Sequence, residues 1–309
     1  MSASFRTFRA TYALGMPQML FGGVSERWIF KEAGDIHWRM LCDDLGARSV
    51  DLKDDQGERL YASFMRVRLE STAPLNTFAE NDELTVSSSL SRFGDKRFFS
   101  ETTFTGTAGE IRMEMASVFL TRSTDNKSLA RATPLQLAQA KSVSHPVVPV
   151  FGQGYQALKR TAFDGPASPQ ETVLQLGGLP FDWQETTSKQ RTYVVDPYYD
   201  FNGANLLYFA SYPRIHDVCE RQVLSERALQ SGHAVDLAFG VSPLARDVYY
   251  FGNADAGDAL EFSLKKVEFV QPDRLRIWST LVRTKDGARI ADVFTVKALT
   301  DPALKSIFS

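Results

Sequence analysis

A chain of 309 residues with 43% hydrophobic content is long enough to bury a large core and to divide into two units of ordinary size, which excludes a disordered or fibrous protein. A formal charge of -2, with Lys and Arg scattered among Asp and Glu, excludes the basic surface that nucleic-acid binding requires. No positively charged segment leads into an apolar run at the start, and nowhere do eighteen apolar residues follow one another, so a cytoplasmic protein with no membrane partner is expected.

In chain order, the first clear element is helical: in SERWIFKEAGDIHWRML (25–41), Ile29, Ala33, Ile36 and Met40 share one face. Three alternating segments follow, LTVSSSLSRF (84–93), RFFSETTF (97–104) and IRMEMASVFL (111–120), which read as antiparallel strands with one buried face. Residues 123–190 carry Pro134, Pro146, Pro149, Pro166, Pro169 and Pro180, with only a short helical pattern at 134–141. Their aromatic and aliphatic content indicates an ordered connector instead of a flexible linker. The strand RTYVV (191–195) then leads into a helix expected from Asn202 or Gly203, with Tyr208, Tyr212, Ile215 and Cys219 on one face. LEFSLKKVEF (260–269), RLRIWSTLV (274–282) and ADVFTVKAL (291–299) complete the chain as further alternating strands.

The two helical faces are offset by 179 residues (29 to 208, 40 to 219), and at that offset His37 falls on His216. The turns Gly94-Asp95-Lys96-Arg97 and Pro272-Asp273-Arg274-Leu275 correspond at 178, as do those at Gly109 and Gly287. The match loosens only between helix and second strand, where SVDL (49–52) and AVDL (234–237) lie 185 apart. Each half therefore reads as one strand, one long helix and about four strands, which is an α+β architecture of two helices wrapped by curved antiparallel sheet, a double hotdog. The expected division is a first repeat over 1–122, a connector over 123–190 and a second repeat over 191–309.

Cys42 and Cys219 fall in predicted helices with no His or Cys nearby, so they read as small buried apolar residues and not as a zinc site or disulfide. His37, His145, His216 and His233 show no metal-ligand spacing, and a packed structural role is expected for the pair His37 and His216. No metal is expected.

The chemistry concentrates at VDPYYDFNGANLLYF (195–209). A helix beginning at Asn202 would expose backbone N–H groups to an oxyanion, with Asn202 as N-cap and Gly203 open to a ligand. Asp200, Asn202, Gly203, Ala204 and Asn205 converge on that turn, whereas the corresponding GMPQMLFGGVSER (15–27) of the first repeat holds no carboxylate at the equivalent place. One working site is therefore expected in the pseudo-dimer.

The Asp-x-x-Gly elbow followed by Asn and Tyr resembles that of hotdog thioesterases, which implies Asp200 aiding attack on a thioester carbonyl. More widely, GMPQM, SERWIFKEAGDIHWRML, LYASFMRVRLE and DPYYDFNGANLLYFASYPRI resemble the double-hotdog bifunctional acyltransferase/decarboxylase of the leinamycin polyketide pathway and its relatives. That resemblance implies an enzyme that takes methylmalonyl-CoA, acylates its own tyrosine, passes the acyl group to an acyl carrier protein, and decarboxylates it to a propionyl thioester. Through LYASFMRVR the acylated residue is Tyr61, with Asp200 and Asn202 completing the catalytic set and Gly203, Ala204 and Asn205 binding substrate. No cofactor is implied beyond the CoA thioester that serves as substrate, and a homodimer is compatible with it.

A phenol is a weak nucleophile at neutral pH, so Tyr61 requires a cation, base or helix N-terminus beside it. Enolate stabilisation requires amide donors and dry surroundings, for which Tyr198, Tyr199 and Phe201 are candidates. An acidic carrier protein would be met by Arg66, Arg68, Arg214, Arg221, Lys265 or Lys266. Two other readings stay open on the residues: a hotdog thioesterase using Asp200, and a non-catalytic double hotdog that binds an acyl thioester.

Overall fold

The computed structural model describes residues 6–94, 96–122, 129–165, 174–187, 189–230, 240–270, 272–301 and 304. Asp95, Pro166, Pro169, His233 and the AVDL segment (234–237) lie outside them. Its main elements are β1 (Arg6–Ala13), α1 (Glu26–Leu45), β2 (Leu60–Ser71), β3 (Glu83–Phe93), β4 (Arg97–Gly106), β5 (Gly109–Arg122), α2 (Val150–Asp164), β6 (Lys189–Val194), α3 (Ser211–Gln230), β7 (Val241–Tyr250), β8 (Ala259–Val270), β9 (Arg274–Arg283) and β10 (Ala288–Leu299). Helix α1 starts where Ser25 accepts a hydrogen bond from the Trp28 amide at 3.2 Å, and stops at Gly46, whose φ of 63° is left-handed.

The strands form one antiparallel path, β1-β3-β4-β5-β2-β7-β10-β9-β8-β6, joined at the middle by β2 and β7 with Val67 opposite Val248. Each half is a strand, a helix and four strands, and the whole is the double hotdog expected from the repeat. Bulges at Met65 in β2 and Leu244 in β7, again 179 apart (65 to 244), bend the sheet around the helices. Along the concave side, Ile29, Ala33 and Ile36 of α1 and Ile215 and Cys219 of α3 enter one continuous apolar core, while Cys42 is half-buried. Among the described residues no helix is long and apolar enough to cross a membrane.

Both helix histidines are fully buried, and each binds a strand serine through Nδ1, His37 to Ser100 at 2.6 Å and His216 to Ser279 at 2.7 Å. These serines keep the 179-residue offset (100 to 279), so each unit carries the same buried His–Ser pair. His37 also reaches Ser117 through Nε2, whereas His216 Nε2 has no partner among the described residues. Burial pushes both imidazoles down to about 3, with Arg246 adding to the effect at His216. The folded state therefore binds fewer protons than the unfolded chain between about pH 6.5 and 3. Stability is complete above the unfolded value and falls as pH drops, by about 1.4 kcal/mol per pH unit per histidine. Melting temperature is expected to fall steeply from pH 6 to pH 4, and a His216→Gln variant to show a clearly shallower slope; an unchanged slope would contradict this role.

The convex face of the sheet is not left to solvent. The connector folds across it: Phe151, Tyr155 and Leu158 of α2, with Leu176 and Phe181 of a short hairpin, pack on Met65, Val118, Leu244, Tyr249, Trp278 and Phe294. The helical pattern expected at 134–141 is only a 3-10 turn at Leu135–Gln139. Helix α2 was not anticipated, because Gly152 and Gly154 weaken its first turns and its apolar stripe is short. Docking onto the sheet supplies what propensity does not.

At the β2–β7 joint, beneath α2, Asp247 takes two guanidinium groups. Arg66 donates to it at 2.9 and 2.5 Å, Arg68 at 3.0 and 2.7 Å, and Arg66 also donates to the Phe151 carbonyl of α2 at 2.7 Å.

Candidate functional site

The pairing of β2 with β7 runs only from Glu70 opposite Ala245 to Arg66 opposite Tyr249. Beyond that point residues 60–64 stay with β5 and Tyr250 stays with β10, so the two central strands part. The slot between them opens into a cavity of 620 Å³ whose walls include Tyr61, Ser63, Met65, Tyr155, Asn202 and Gly203. Alternation along β2 sends Tyr61 and Ser63 to the convex side with Met65, and Ala62 and Phe64 toward the helices.

The elbow between β6 and α3 borders the same cavity, but not as the start of a long helix. Asp196 caps a single turn, Pro197–Asp200, by accepting from the Tyr198 amide. The Asn202 side-chain oxygen accepts from the Ala204 and Leu206 amides at 3.0 and 3.1 Å, and Asn205 adopts a left-handed φ of 57°. A bridge between Phe201 and Leu207 closes this loop, and α3 begins only at Ser211. The helix expected from Asn202 is corrected accordingly: the carboxamide holds the amides that a helix start would have left free. Since backbone N–H groups fix Oδ1, the NH2 of Asn202 is the group left for a ligand.

Phe209 locks the elbow to the other unit. It inserts against α1 at Gly34, where a Cβ would lie 2.4 Å from the ring, and it packs on Phe64 with centroids 4.4 Å apart.

Asp200 is also corrected. It is fully buried and absent from the cavity wall, and its carboxylate accepts from the Tyr193 hydroxyl at 2.8 Å, the Asp196 amide at 2.9 Å and the Arg214 guanidinium. A carboxylate so enclosed orders the elbow and is not placed to act on a ligand. Tyr198 and Tyr199, candidates for a dry pocket, are 94% and 64% exposed on the outside of the elbow, and Phe201 is half-buried away from the cavity. Gly203 and Ala204 border the cavity, whereas Asn205 does not. The Ala204 amide is already spent on Asn202.

Two cations flank the Tyr61 ring, Arg59 at 5.2 Å and Arg122 at 5.6 Å from its centroid. Arg122, at the end of β5, also donates to the Ala204 carbonyl and, at 3.4 Å, to that of Asn205, so it ties the phenol of the first unit to the elbow of the second. Sequence reasoning missed both. Arg59 carried a usable signal, since residues two apart in a strand share a face; Arg122 carried none.

Five tyrosines border the cavity, and three have spent their hydroxyls on backbone carbonyls. Tyr155 donates to Tyr250 at 2.8 Å, Tyr212 to Gly252 at 2.6 Å and Tyr250 to Phe209 at 3.1 Å. Only Tyr61 and Tyr208 present hydroxyls without a hydrogen bond among the described residues. Burial, reinforced by Asp35, pushes the Tyr208 phenol up to about 12, so it keeps its proton at neutral pH.

The pseudo-equivalent slot at the opposite end of the joint is filled. At the 179 offset Tyr61 corresponds to Gly240 (61 to 240), which Leu304 covers so closely that a Cβ would meet its Cδ1 at 2.1 Å. The first elbow is pressed onto the 3-10 turn Leu75–Thr77, a Cβ on Gly23 falling 2.4 Å from Asn76 Cα, and the Asn76 amide donates to Ser242 at 3.1 Å.

The basic residues considered for a carrier protein are mostly committed elsewhere. Arg66 and Arg68 bind Asp247, Arg214 binds Asp200, Lys265 pairs with Glu185, and Lys266 pairs with Asp182 at 2.8 Å; Arg221 is exposed.

No protein-family model and no curated protein matches the chain in sequence. Solved structures do match in shape over nearly its whole length. A protein described as an oleoyl thioesterase from Lactobacillus plantarum superposes with a TM-score of 0.62 at 12% identity, covering 96% of each chain. The 12:0-ACP thioesterase from Umbellularia californica gives 0.58 at 10% identity, over 95% of this chain and 97% of that one. An acyl-ACP thioesterase from Bacteroides thetaiotaomicron gives 0.55 at 10% identity, over 94% and 97%. At these identities the likeness establishes the fold, and the chain is a double hotdog with its open cavity at the second elbow.

Proposed function

We propose that the protein is an acyltransferase/decarboxylase that takes a methylmalonyl-type acyl group from CoA onto Tyr61, delivers it to the thiol of an acyl carrier protein, and decarboxylates it to a propionyl thioester. The observation that carries this reading is the meeting of Tyr61 and Asn202 in one cavity, with the phenol between Arg59 and Arg122. The likeness to thioesterases of acyl-ACP and oleoyl type supports an acyl thioester as the substrate.

In the first step the Tyr61 oxygen attacks the thioester carbonyl, an ester bond forms as the C–S bond breaks, and the phenolic proton goes to the sulfur of CoA, which leaves as the thiol. The two guanidinium groups set positive charge beside the attacking phenol, and the Asn202 NH2 and the open backbone at Gly203 polarise the carbonyl. The carrier protein's thiol then attacks the ester and returns the phenol. Loss of CO2 leaves an enolate whose oxygen the same amides stabilise, each donor contributing about 3 kcal/mol. Tyr208, protonated and otherwise unoccupied, supplies the proton to carbon.

Incubation with methylmalonyl-CoA followed by intact-mass measurement is expected to show one acyl adduct, mapped by proteolysis to the peptide holding Tyr61. Hydrolysis to free acid without carrier protein, retained in Tyr61→Phe and lost in Asp200→Asn, would instead establish a thioesterase, a reading that the enclosed position of Asp200 disfavours.

A further inference from the structure

The connector does more than cover the convex face, because two of its elements reach the cavity on the Tyr61 side. The strand Leu129–Arg131 pairs with the end of β5, setting Arg131 opposite Leu120, and both residues border the cavity. In α2, Tyr155 and Lys159 are one turn apart on the same face, and both border it as well. Arg59 brings a third cation to that wall. Arg59 and Lys159 have no ion-pair partner among the described residues. Asp35, the single acid on the cavity wall among the described residues, already pairs with Arg39 at 2.9 Å. The cavity therefore combines an aromatic interior, from Trp38, Phe64 and Phe209, with uncompensated positive charge at its connector end. Cations left unpaired on the wall of a partly enclosed pocket favour an anionic ligand, because the surrounding protein screens their attraction less than water does.

We propose that Arg131 and Lys159 form an anion-binding subsite that holds a negatively charged oxygen group of the bound thioester. This rests on the reading of the Tyr61 cavity as an acyl-thioester site. Two parts of such a substrate carry the required chemistry: the free carboxylate of a malonyl-type acyl group, and the phosphates of CoA. The connector, which belongs to neither repeat, then sets which thioesters the repeats accept. It does so from outside the wrapped-helix units.

The test compares wild type, Arg131→Met/Lys159→Met and the conservative Lys159→Arg by titration calorimetry. The probes are methylmalonyl-pantetheine, which has the carboxylate and no phosphate, and propionyl-CoA, which has the phosphates and no free carboxylate. The double variant is expected to bind one or both probes about tenfold to a hundredfold more weakly, while Lys159→Arg retains affinity. Weakening confined to methylmalonyl-pantetheine assigns the subsite to the acyl carboxylate, and weakening confined to propionyl-CoA assigns it to phosphate. If wild type binds both probes and the double variant binds them equally well, the subsite is overturned while the Tyr61 reading stands. If wild type binds neither, both fall. A melting curve matching wild type guards against loss of fold, since Arg131 is exposed and Lys159 half-buried.

Discussion

Tyr61→Phe is expected to abolish the acyl adduct and to lower acyl transfer by about a thousandfold or more, while leaving the fold intact. The substitution removes only the hydroxyl. The ring remains, so its contacts with Arg59 and Arg122 persist, and stability should change by less than about 0.5 kcal/mol. No other tyrosine of the cavity is placed to take over the nucleophile's part. Tyr155, Tyr212 and Tyr250 have committed their hydroxyls to carbonyls, and Tyr208 is held protonated by burial and by Asp35. Single-turnover mass spectrometry checks the adduct, and a thermal melt checks the fold. An adduct of wild-type size and rate in Tyr61→Phe would remove the phenol from the mechanism.

The second large effect concerns stability. Asp247→Ala is expected to cost about 3 to 5 kcal/mol, because it removes the carboxylate that Arg66 and Arg68 both hydrogen-bond at the joint between the units. Burial pushes the Asp247 carboxyl up, but the two guanidinium groups outweigh it and hold the carboxyl below the ordinary range. A depressed carboxyl contributes stability that is present above its unfolded value and is lost only as pH falls through the folded one. The acid loss expected from the histidines at milder pH is therefore separate from it. Arg66 also anchors α2 through the Phe151 carbonyl, so the connector should loosen with the joint. Urea titration measures the loss in midpoint, and limited proteolysis should cut within α2 at lower denaturant than in wild type. An unchanged midpoint would mean that the buried ions are not what holds the joint.

Periodicity by itself determined the architecture. Alternation in 84–93, 97–104, 111–120, 260–269, 274–282 and 291–299 marked strands, and the 179-residue offset marked the repeat. The alternation is local, and burial of one face requires it wherever the chain goes. The same comparison set Tyr61 and the second elbow apart from their counterparts, because a missing tyrosine and a missing carboxylate are visible letter by letter. The central strand β7 was harder to see, since Arg246 and Asp247 interrupt its apolar pattern with charges that only distant partners neutralise.

Tertiary structure decided the rest. Where β2 and β7 stop pairing, and whether Asp200 meets a ligand or Arg214, depend on groups that local pattern does not bring together. So does the course of the connector, whose α2 is a weak helix until the convex face of the sheet is there to receive Phe151, Tyr155 and Leu158. Local pattern sets which face of an element must be buried. The free energy of contacts between distant elements sets what buries it, and at the parted strands it left a space instead.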